Sequence, residues 1–227
     1  MNQWDQYADL YDRGIGECGD ALHTQIIDPV IFDFLGDSKG KNILDLGCGN
    51  GYLTKRLAQT AKQVVGCDSS TELLQKAKAK INELNVDFVS ADVTKALPFP
   101  DSQFEVVIAN MVIQYLPDLT IFAPEVARVL SSKGIFIAIL DHPSHALFLR
   151  AQELAGKKNE KFLTSASYFS AGKRTKKSLW DKAILEYYHR PMMFYLNAFA
   201  PYLRLEKVEE KTEDGEMPRI LGMKWRN

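Results

Sequence analysis

NILDLGCGNGYLTKRLA, residues 42–58, leads from an apolar run through a glycine-rich turn into a helix-forming segment. Asn42–Leu46 has the composition of a buried strand, and residues 52–60 have that of a helix. Glycines allow a tight turn, and they let the backbone approach a ligand at a helix N-terminus, whose free N–H groups attract negative charge. The stretch therefore predicts a strand, a turn and a helix that bind a ligand at the carboxyl end of the strand.

The spacing of the glycines separates two classes of ligand. Gly47, Gly49 and Gly51 form a GxGxG pattern, whereas a dinucleotide fingerprint needs a glycine at position 52, where this chain has Tyr52. Asp45 lies two residues before the first of these glycines. A carboxylate there repels a pyrophosphate and attracts an ammonium group. The loop therefore favours a nucleoside that carries an amino acid over a dinucleotide.

Outward from the loop, apolar periodicity alternates between strand and helix signals. The strand signals cover residues 42–46, 63–67, 86–89, 104–110 and 134–140, and the helix signals cover residues 52–60, 70–84 and 119–130. This alternation is typical of a parallel sheet with helices on both faces. With a closing antiparallel pair at 203–209 and 218–225, the predicted fold class is α/β. It is a doubly wound, mostly parallel, seven-stranded Rossmann-like sheet.

The chain is predicted to be a single domain spanning residues 1–227. Residues 36–141 form its cofactor-binding core, and residues 202–227 form the closing strands. Residues 1–35, with two helices of which the second runs from about 21 to 35, cover the acceptor site together with residues 142–201. The latter segment follows strand five and is expected to be helical and loop-like, as a lid.

Composition excludes several classes of protein. The chain has 227 residues, of which 46% are hydrophobic and 25% charged, and this excludes a disordered or fibrous protein. A net charge of −1 provides no global attraction to nucleic acid or to an anionic membrane. Its apolar runs are too short to span a bilayer, its first residues do not form a secretory signal, and its three cysteines form no CxxC pair. A cytoplasmic protein without a membrane span is expected.

Acidic residues follow the second and third predicted strands. Asp68 ends the second strand, where a carboxylate can accept hydrogen bonds from both hydroxyls of a ribose. Asp92 follows the third strand. Because the carboxyl ends of parallel strands meet at one edge of the sheet, these acids and Asp45 together predict a pocket for an adenosine with a zwitterionic tail.

Four motifs in order resemble the class I S-adenosylmethionine-dependent methyltransferases. They are DLGCGNG at 45–51, the strand-two acid Asp68, SADV at 90–93, and LPFPDSQFEVVIANMVIQYLPD at 97–118. The resemblance is to the small-molecule branch that includes ubiquinone and menaquinone methyltransferases. It implies that the chain binds S-adenosylmethionine, releases S-adenosylhomocysteine and needs no metal.

The resemblance also implies which residues bind the cofactor. The glycines would contact its methionine portion, Asp68 the ribose hydroxyls, and Asp92 the adenine amino group. Asn110 and Met111 would border the methionine portion and the transferable methyl. The complete predicted set is Asp45, Gly47, Cys48, Gly49, Gly51, Asp68, Ser69, Asp92, Val93, Asn110 and Met111.

The implied reaction is an in-line displacement to an oxygen, carbon or nitrogen of a small molecule. Strand four lacks the proline-aromatic sequence of enzymes that methylate exocyclic amines of nucleobases. A hydroxyl or an acidic carbon needs a base, and two histidines are candidates for this catalytic role. His142 follows strand five, and His189 belongs to the string Tyr-His-Arg-Pro at 188–191. A purely structural hydrogen-bonding role is the alternative for both.

The candidate substrate residues are Tyr7, Tyr11, Tyr115 and Arg190. The two tyrosines of the first helix share a face, where the family has an aromatic covering the cofactor; amphipathic packing is the alternative. Arg190 can bind a substrate carboxylate or form a salt bridge. His142 and His145 form a pair that suggests a metal site, but a metal normally needs more ligands, so none is predicted.

Residues 157–182 are rich in lysine and arginine. A solvated, mobile lid is the first interpretation, and attraction of an anionic acceptor or an RNA is the second. Three functions therefore stand: a small-molecule methyltransferase as a monomer or homodimer, a tRNA-modifying methyltransferase, and a cofactor-binding regulatory or scaffold protein without turnover. The acceptor itself is left open.

Overall fold

A computed structural model describes residues 3–145, 168–177, 183–213, 215 and 217–227. Seven strands form one sheet in the order β3-β2-β1-β4-β5-β9-β8, and β6 and β7 form a separate two-stranded sheet. The strands are β1 (Asn42–Leu46), β2 (Gln63–Asp68), β3 (Val86–Ser90), β4 (Phe104–Asn110), β5 (Leu130–Asp141), β6 (Gly172–Lys177), β7 (Ile184–His189), β8 (Arg204–Thr212) and β9 (Pro218–Arg226). The predicted α/β class with a seven-stranded, mostly parallel sheet is confirmed.

The helices cover both faces of the large sheet. They are α1 (Gln3–Gln6), α2 (Ala8–Ile15), α3 (Asp28–Leu35), α4 (Tyr52–Ala58), α5 (Thr71–Lys80), α6 (Phe122–Val129) and α7 (Met192–Phe199), with a π-helical turn at His23–Ile27 and a 3₁₀ turn at Ile113–Tyr115. Buried residues of α3 and α4 pack on one face of the sheet. Those of α6 and α7 pack on the other face. Strands covered on both faces are buried along nearly their whole length, as β1 and β4 are.

Pairing in the sheet follows the predicted strands closely. β1 lies between β2 and β4 in parallel register, and β5 joins the sheet in parallel beside β4. β9 is antiparallel to both β5 and β8, which confirms the predicted closing pair. The fifth helix is shorter than its signal at 70–84: it begins after the cap Ser70, whose Oγ accepts from Leu73 N at 3.2 Å, and it ends where Ile81 becomes extended.

The expectation for residues 142–201 is wrong in part. Within the described residues this segment contains the antiparallel strands β6 and β7, and only then the helix α7. β7 alternates an exposed Ile184 with a buried Leu185 and an exposed Glu186, as a half-buried strand does. β6 is almost entirely charged or polar, so no apolar period marks it.

In the described ranges, no helix is both long enough and apolar enough to span a membrane.

Candidate functional site

The glycine loop between β1 and α4 has a backbone that other residues would strain. Gly47, Gly49 and Gly51 have φ of +70°, +58° and +82°. A Cβ on Gly47 would lie 2.3 Å from Val112 Cγ2, and one on Gly49 would lie 2.8 Å from Tyr11 Oη. The loop therefore needs glycine both for its conformation and for the close approach of its neighbours.

Asp68 ties this loop to the end of β2. Its Oδ2 accepts from Gly49 N at 2.9 Å, and its Oδ1 accepts from Ser70 N at 2.8 Å. Burial raises the pKa of Asp68, and the backbone hydrogen bonds from Ser70 and Gly49 oppose that rise. The carboxylate faces the cavity described below and retains lone pairs for a further donor.

Asp92 occupies the matching place after β3. Its Oδ1 accepts from Thr94 N at 3.0 Å and from Thr94 Oγ1 at 2.7 Å. Burial raises the pKa of Asp92, but these hydrogen bonds and the Lys95 ammonium outweigh it, so the pKa is lowered and the carboxylate is ionised. Val93 beside it is buried and lines the same cavity.

The end of β4 has an unusual backbone. Met111 has φ of +57°, which is strained for a residue with a side chain, and its N–H donates to Ile139 O at 2.8 Å. Asn110 Nδ2 donates to Tyr52 Oη at 2.9 Å. Asn110 Oδ1 and Gln114 Oε1 are buried acceptors without a hydrogen-bond partner. Two unsatisfied hydrogen-bond acceptors thus lie beside Met111.

One cavity of 1210 Å³ connects these features with the β6–β7 sheet. It runs past the carboxyl ends of the parallel strands, the place where doubly wound sheets bind ligands. Thirteen predicted site residues line it: Gly47, Gly49, Asp68, Ser69, Asp92, Val93, Asn110, Met111, Tyr11, Tyr115, Arg190, His142 and His189. Four others, Asp45, Cys48, Gly51 and Tyr7, are not among its lining residues.

Asp45 lies behind the glycine loop. Its side chain is buried, and Oδ2 accepts from Thr54 Oγ1 at 2.6 Å. Burial raises the pKa of Asp45 to about 7, against the hydrogen bond from Thr54 and with the help of the Asp68 charge. Burial likewise raises the pKa of the Cys48 thiol, so this side chain is a neutral packing group.

The N-terminal segment covers the loop with aromatic rings. The hydroxyphenyl ring of Tyr11 lies against Gly49, close enough that a methyl group there would collide with it. Trp4 packs edge-to-face on Tyr115 at a centroid distance of 4.9 Å and on Tyr11 at 6.0 Å. Tyr7 lies at the N-cap of α2 and makes no side-chain capping bond. The aromatic cover is therefore built by Trp4 and Tyr11, and sequence reasoning missed Trp4.

The two candidate histidines differ in their hydrogen bonds. His142 Nε2 donates to Glu210 Oε1 at 2.7 Å, and its Nδ1 lies 2.6 Å from Ser144 Oγ, so both ring nitrogens are engaged. His189 Nε2 lies 2.9 Å from Tyr168 O. Because a carbonyl only accepts, Nε2 carries the proton there and Nδ1 of the neutral ring keeps a lone pair. Burial lowers the pKa of both histidines.

Arg190 braces the loop that follows β4. Its Nη2 donates to Leu116 O at 2.7 Å and to Pro117 O at 2.5 Å. Its guanidinium lies over the rings of Tyr188 and Phe194 at 5.1 and 4.8 Å. Arg190 is only 5% exposed, and the hydrogen bonds from its Nη2 go to carbonyls.

An ionic cluster at the end of β5 has no counterpart in the sequence prediction. Asp141 Oδ1 accepts from Arg219 Nη1 at 2.9 Å, and its Oδ2 pairs with Lys176 Nζ. Lys176 also lies over the ring of Tyr115, 5.2 Å from its centroid. An acid at the end of a fifth strand is visible in the sequence, but its partners come from β6 and β9.

The basic stretch at 157–182 is described only in part. Residues 157–167 and 178–182, and with them most of the predicted lid, lie outside the described residues. Within β6, Lys173 Nζ pairs with Glu186 Oε2 at 2.8 Å and Lys176 pairs with Asp141. Among the described histidines, cysteines and acids, no three lie together as metal ligands would.

Comparisons with known proteins match this geometry. A family model described as a methyltransferase domain matches residues 44–138, which hold the glycine loop, Asp68, Asp92 and the end of β4. A demethylmenaquinone methyltransferase of Lactococcus lactis is 35% identical over 136 residues, 57% of this chain and 54% of that protein. A trans-aconitate 2-methyltransferase of Azoarcus is 33% identical over 138 residues, 56% of this chain and 53% of that protein. The chain thus spans about half the length of these two relatives.

A solved structure extends the likeness to the whole fold. A S-adenosylmethionine dependent methyltransferase from Mesorhizobium loti superposes with a TM-score of 0.68 over 88% of this chain and 96% of that one. The two sequences are 21% identical, so this likeness supports the fold. The family match covers the segment that holds the four ordered motifs, and it bears out the resemblance that they indicate.

Proposed function

We propose that this chain is a class I S-adenosylmethionine-dependent methyltransferase and that it transfers a methyl group to a small-molecule acceptor. The observation that carries the proposal is one continuous cavity that Asp68, Asp92, the strained Met111 and His189 all line. Such a cavity can hold a donor and an acceptor end to end. The two relatives are named for demethylmenaquinone and trans-aconitate, and these names support a small-molecule acceptor.

The residues along this cavity fit S-adenosylmethionine. The Asp68 carboxylate would accept from the ribose hydroxyls, and Asp92 would accept from the adenine amino group. The buried acceptors Asn110 Oδ1 and Gln114 Oε1 would accept from the ammonium of the methionine portion, which would satisfy two atoms that have no partner. The glycine loop would border this portion, because Gly47 and Gly49 line the cavity.

The protein's own contribution is alignment, exclusion of water and removal of a proton. The bound donor supplies an electrophilic methyl on a sulfonium, whose positive charge is lost when the acceptor atom displaces it. Trp4 and Tyr11 would keep water from this position. His189 would take the proton of a hydroxyl or acidic carbon on Nδ1, since its Nε2 is committed to Tyr168 O. The engaged nitrogens of His142 favour a structural role for that residue.

The direct experiment supplies the protein with methyl-labelled S-adenosylmethionine and a metabolite extract, and identifies any labelled product by mass spectrometry. Calorimetry with S-adenosylhomocysteine measures cofactor binding in parallel. We expect binding and a labelled small molecule. Binding without any labelled product would favour the non-catalytic alternative, and label in tRNA with binding that weakens steeply with salt would favour the tRNA-modifying one. Absence of binding would overturn the proposal.

A further inference from the structure

The part of the cavity wall beyond β4 carries an excess of positive charge. This acceptor wall consists of the cavity-lining residues of β5, β9, the β6–β7 sheet and Arg190. Arg174, Lys176, Arg190 and Arg219 supply four cations, and Asp141 is the carboxylate that lines the cavity among them. Arg219 Nε also lies 3.9 Å from Glu213, whose side chain is 66% exposed. The exposed carboxylate of Asp118, outside the lining, interacts with the Arg190 charge. Even when Glu213 and Asp118 are both counted, one positive charge is in excess.

Asp141 cannot neutralise its two partners by itself. Burial raises the pKa of Asp141, but the Lys176 and Arg219 charges outweigh it and lower the pKa, so the carboxylate is ionised and carries one negative charge against two positive ones. The Arg190 guanidinium donates to the carbonyls of Leu116 and Pro117, and the carboxylate that interacts with it, Asp118, is exposed. Buried charge is costly unless it is paired. A ligand that brings a negative charge to this wall would remove that cost.

Lys176 is placed to receive such a ligand. Its side chain is 28% exposed, more than those of Arg219 and Asp141, and it lines the cavity between the rings of Tyr115 and Tyr187. Tyr115 belongs to the loop after β4, the side of the cavity where Asn110 and Met111 are expected to meet the transferable methyl. An anion on Lys176 would therefore lie on the acceptor's side of the donor.

We propose that the acceptor is a carboxylate-bearing small molecule and that Lys176, supported by Arg219, binds its carboxylate. This inference rests on the proposed methyl transfer and deepens it. The acceptor's carboxylate would complete an arrangement in which two cations, Lys176 and Arg219, face two anions, this carboxylate and Asp141. The same neutralisation would offset the repulsion between these cations and a donor sulfonium in the same cavity.

The first test separates the extract by ion exchange at pH 7 into anionic, neutral and cationic pools, and offers each pool with labelled donor to the full chain. We expect the label in the anionic pool, and methylamine amidation of its carboxylates should abolish it. Label confined to the neutral or cationic pool, or label that survives amidation, would overturn the carboxylate inference while leaving methyl transfer intact. Label in no pool would overturn methyl transfer itself, and this inference with it.

The second test uses variants on the labelled acceptor. Lys176→Gln should raise its KM at least tenfold with little change in the donor's KM, and Lys176→Arg should recover most of the loss. Lys173→Gln is the matched control, because Lys173 is on the same strand, pairs with Glu186 and does not line the cavity. An unchanged acceptor KM in Lys176→Gln would contradict the assignment.

A third variant, Asp141→Asn, distinguishes a role of the cluster in acceptor binding from a merely structural role. The variant removes the competing carboxylate and leaves both cations to the acceptor, so the acceptor KM should fall. If Asp141→Asn instead raises the acceptor KM as Lys176→Gln does, the cluster supports the fold rather than the ligand. Circular dichroism and the donor's affinity show whether each variant is folded.

Discussion

The two ends of the cavity are built in different ways. At the cofactor edge, which comprises the loops after β1, β2 and β3, each functional carboxylate accepts from the backbone N–H two residues later in the chain, as Asp68 does from Ser70 and Asp92 from Thr94. At the acceptor wall, Asp141 is held by side chains 35 and 78 residues away, Lys176 and Arg219. Local backbone contacts can be recognised in a sequence by a fixed spacing of residues, whereas long-range ion pairs have no fixed spacing.

The largest effect should come from His189, the base proposed at the acceptor wall. If the acceptor must lose a proton, His189→Gln should lower kcat by about 10²–10⁴-fold with nearly unchanged cofactor affinity. Because burial lowers the pKa of His189, the ring is neutral near pH 7 and the rate should fall only on acidification below its ordinary value of 6.5. Steady-state kinetics from pH 5 to 8 measures both effects.

His142→Gln provides the comparison, at the cavity-lining residue that follows β5. It removes the contacts to Glu210 and Ser144, so its main effect should be a lower free energy of unfolding, and kcat should change little. A large kcat loss in His142→Gln with none in His189→Gln would reverse the assignment. Full turnover in both variants would mean that the acceptor arrives already nucleophilic.

At the cofactor edge, Asp68→Ala should weaken binding of S-adenosylhomocysteine by about 1–3 kcal/mol, because charge-assisted hydrogen bonds to the ribose would be lost. Calorimetry checks this value. Asp87→Ala is the control, since Asp87 is an exposed residue of the neighbouring strand and bonds Gln63 outside the cavity. Equal affinities of the wild type and Asp68→Ala would show that the ligand does not lie where the spacing places it.

These differences explain which strands and which site residues can be predicted from the sequence. Asn42–Leu46 and Phe104–Asn110 are strands with the bounds that were predicted, because apolar runs covered on both faces have clear ends. Gly172–Lys177 was missed, since a strand of charged residues has no apolar period. Asp45 was expected at the ligand, yet the turn places it behind the loop; strand-end position predicts which edge a residue occupies, not which way its side chain faces.

Asp45 allows a pH test of that buried position. Its pKa is raised from 3.8 to about 7, so the folded state holds a proton that the unfolded state releases, and stability from this group is lost as pH rises between these values. Asp45→Asn does not titrate. Between pH 5 and 8 the wild type should therefore lose on the order of 2–3 kcal/mol of unfolding free energy relative to the variant, as urea titrations can measure. A constant difference would mean that Asp45 is ionised throughout.

The smallest effect concerns the contact that joins the two ends. Gln3 Nε2 donates to Glu186 O at 3.2 Å and Gln3 Oε1 accepts from Glu186 N at 3.1 Å, so α1, whose Asp5 accepts from Ser70 Oγ at 2.7 Å, is tied to β7. Both Gln3 bonds are exposed, and their loss in Gln3→Ala should lower the free energy of unfolding by no more than about 1 kcal/mol.

If the N-terminal cover closes over both ligands together, Gln3→Ala should raise the KM of donor and acceptor each by about two- to fivefold with kcat retained. Gln63→Ala, which removes an exposed amide at the far edge of the sheet, should change neither KM. A rise for the acceptor alone would make the Gln3 contact part of the acceptor wall, and the two ends of the cavity would then close independently.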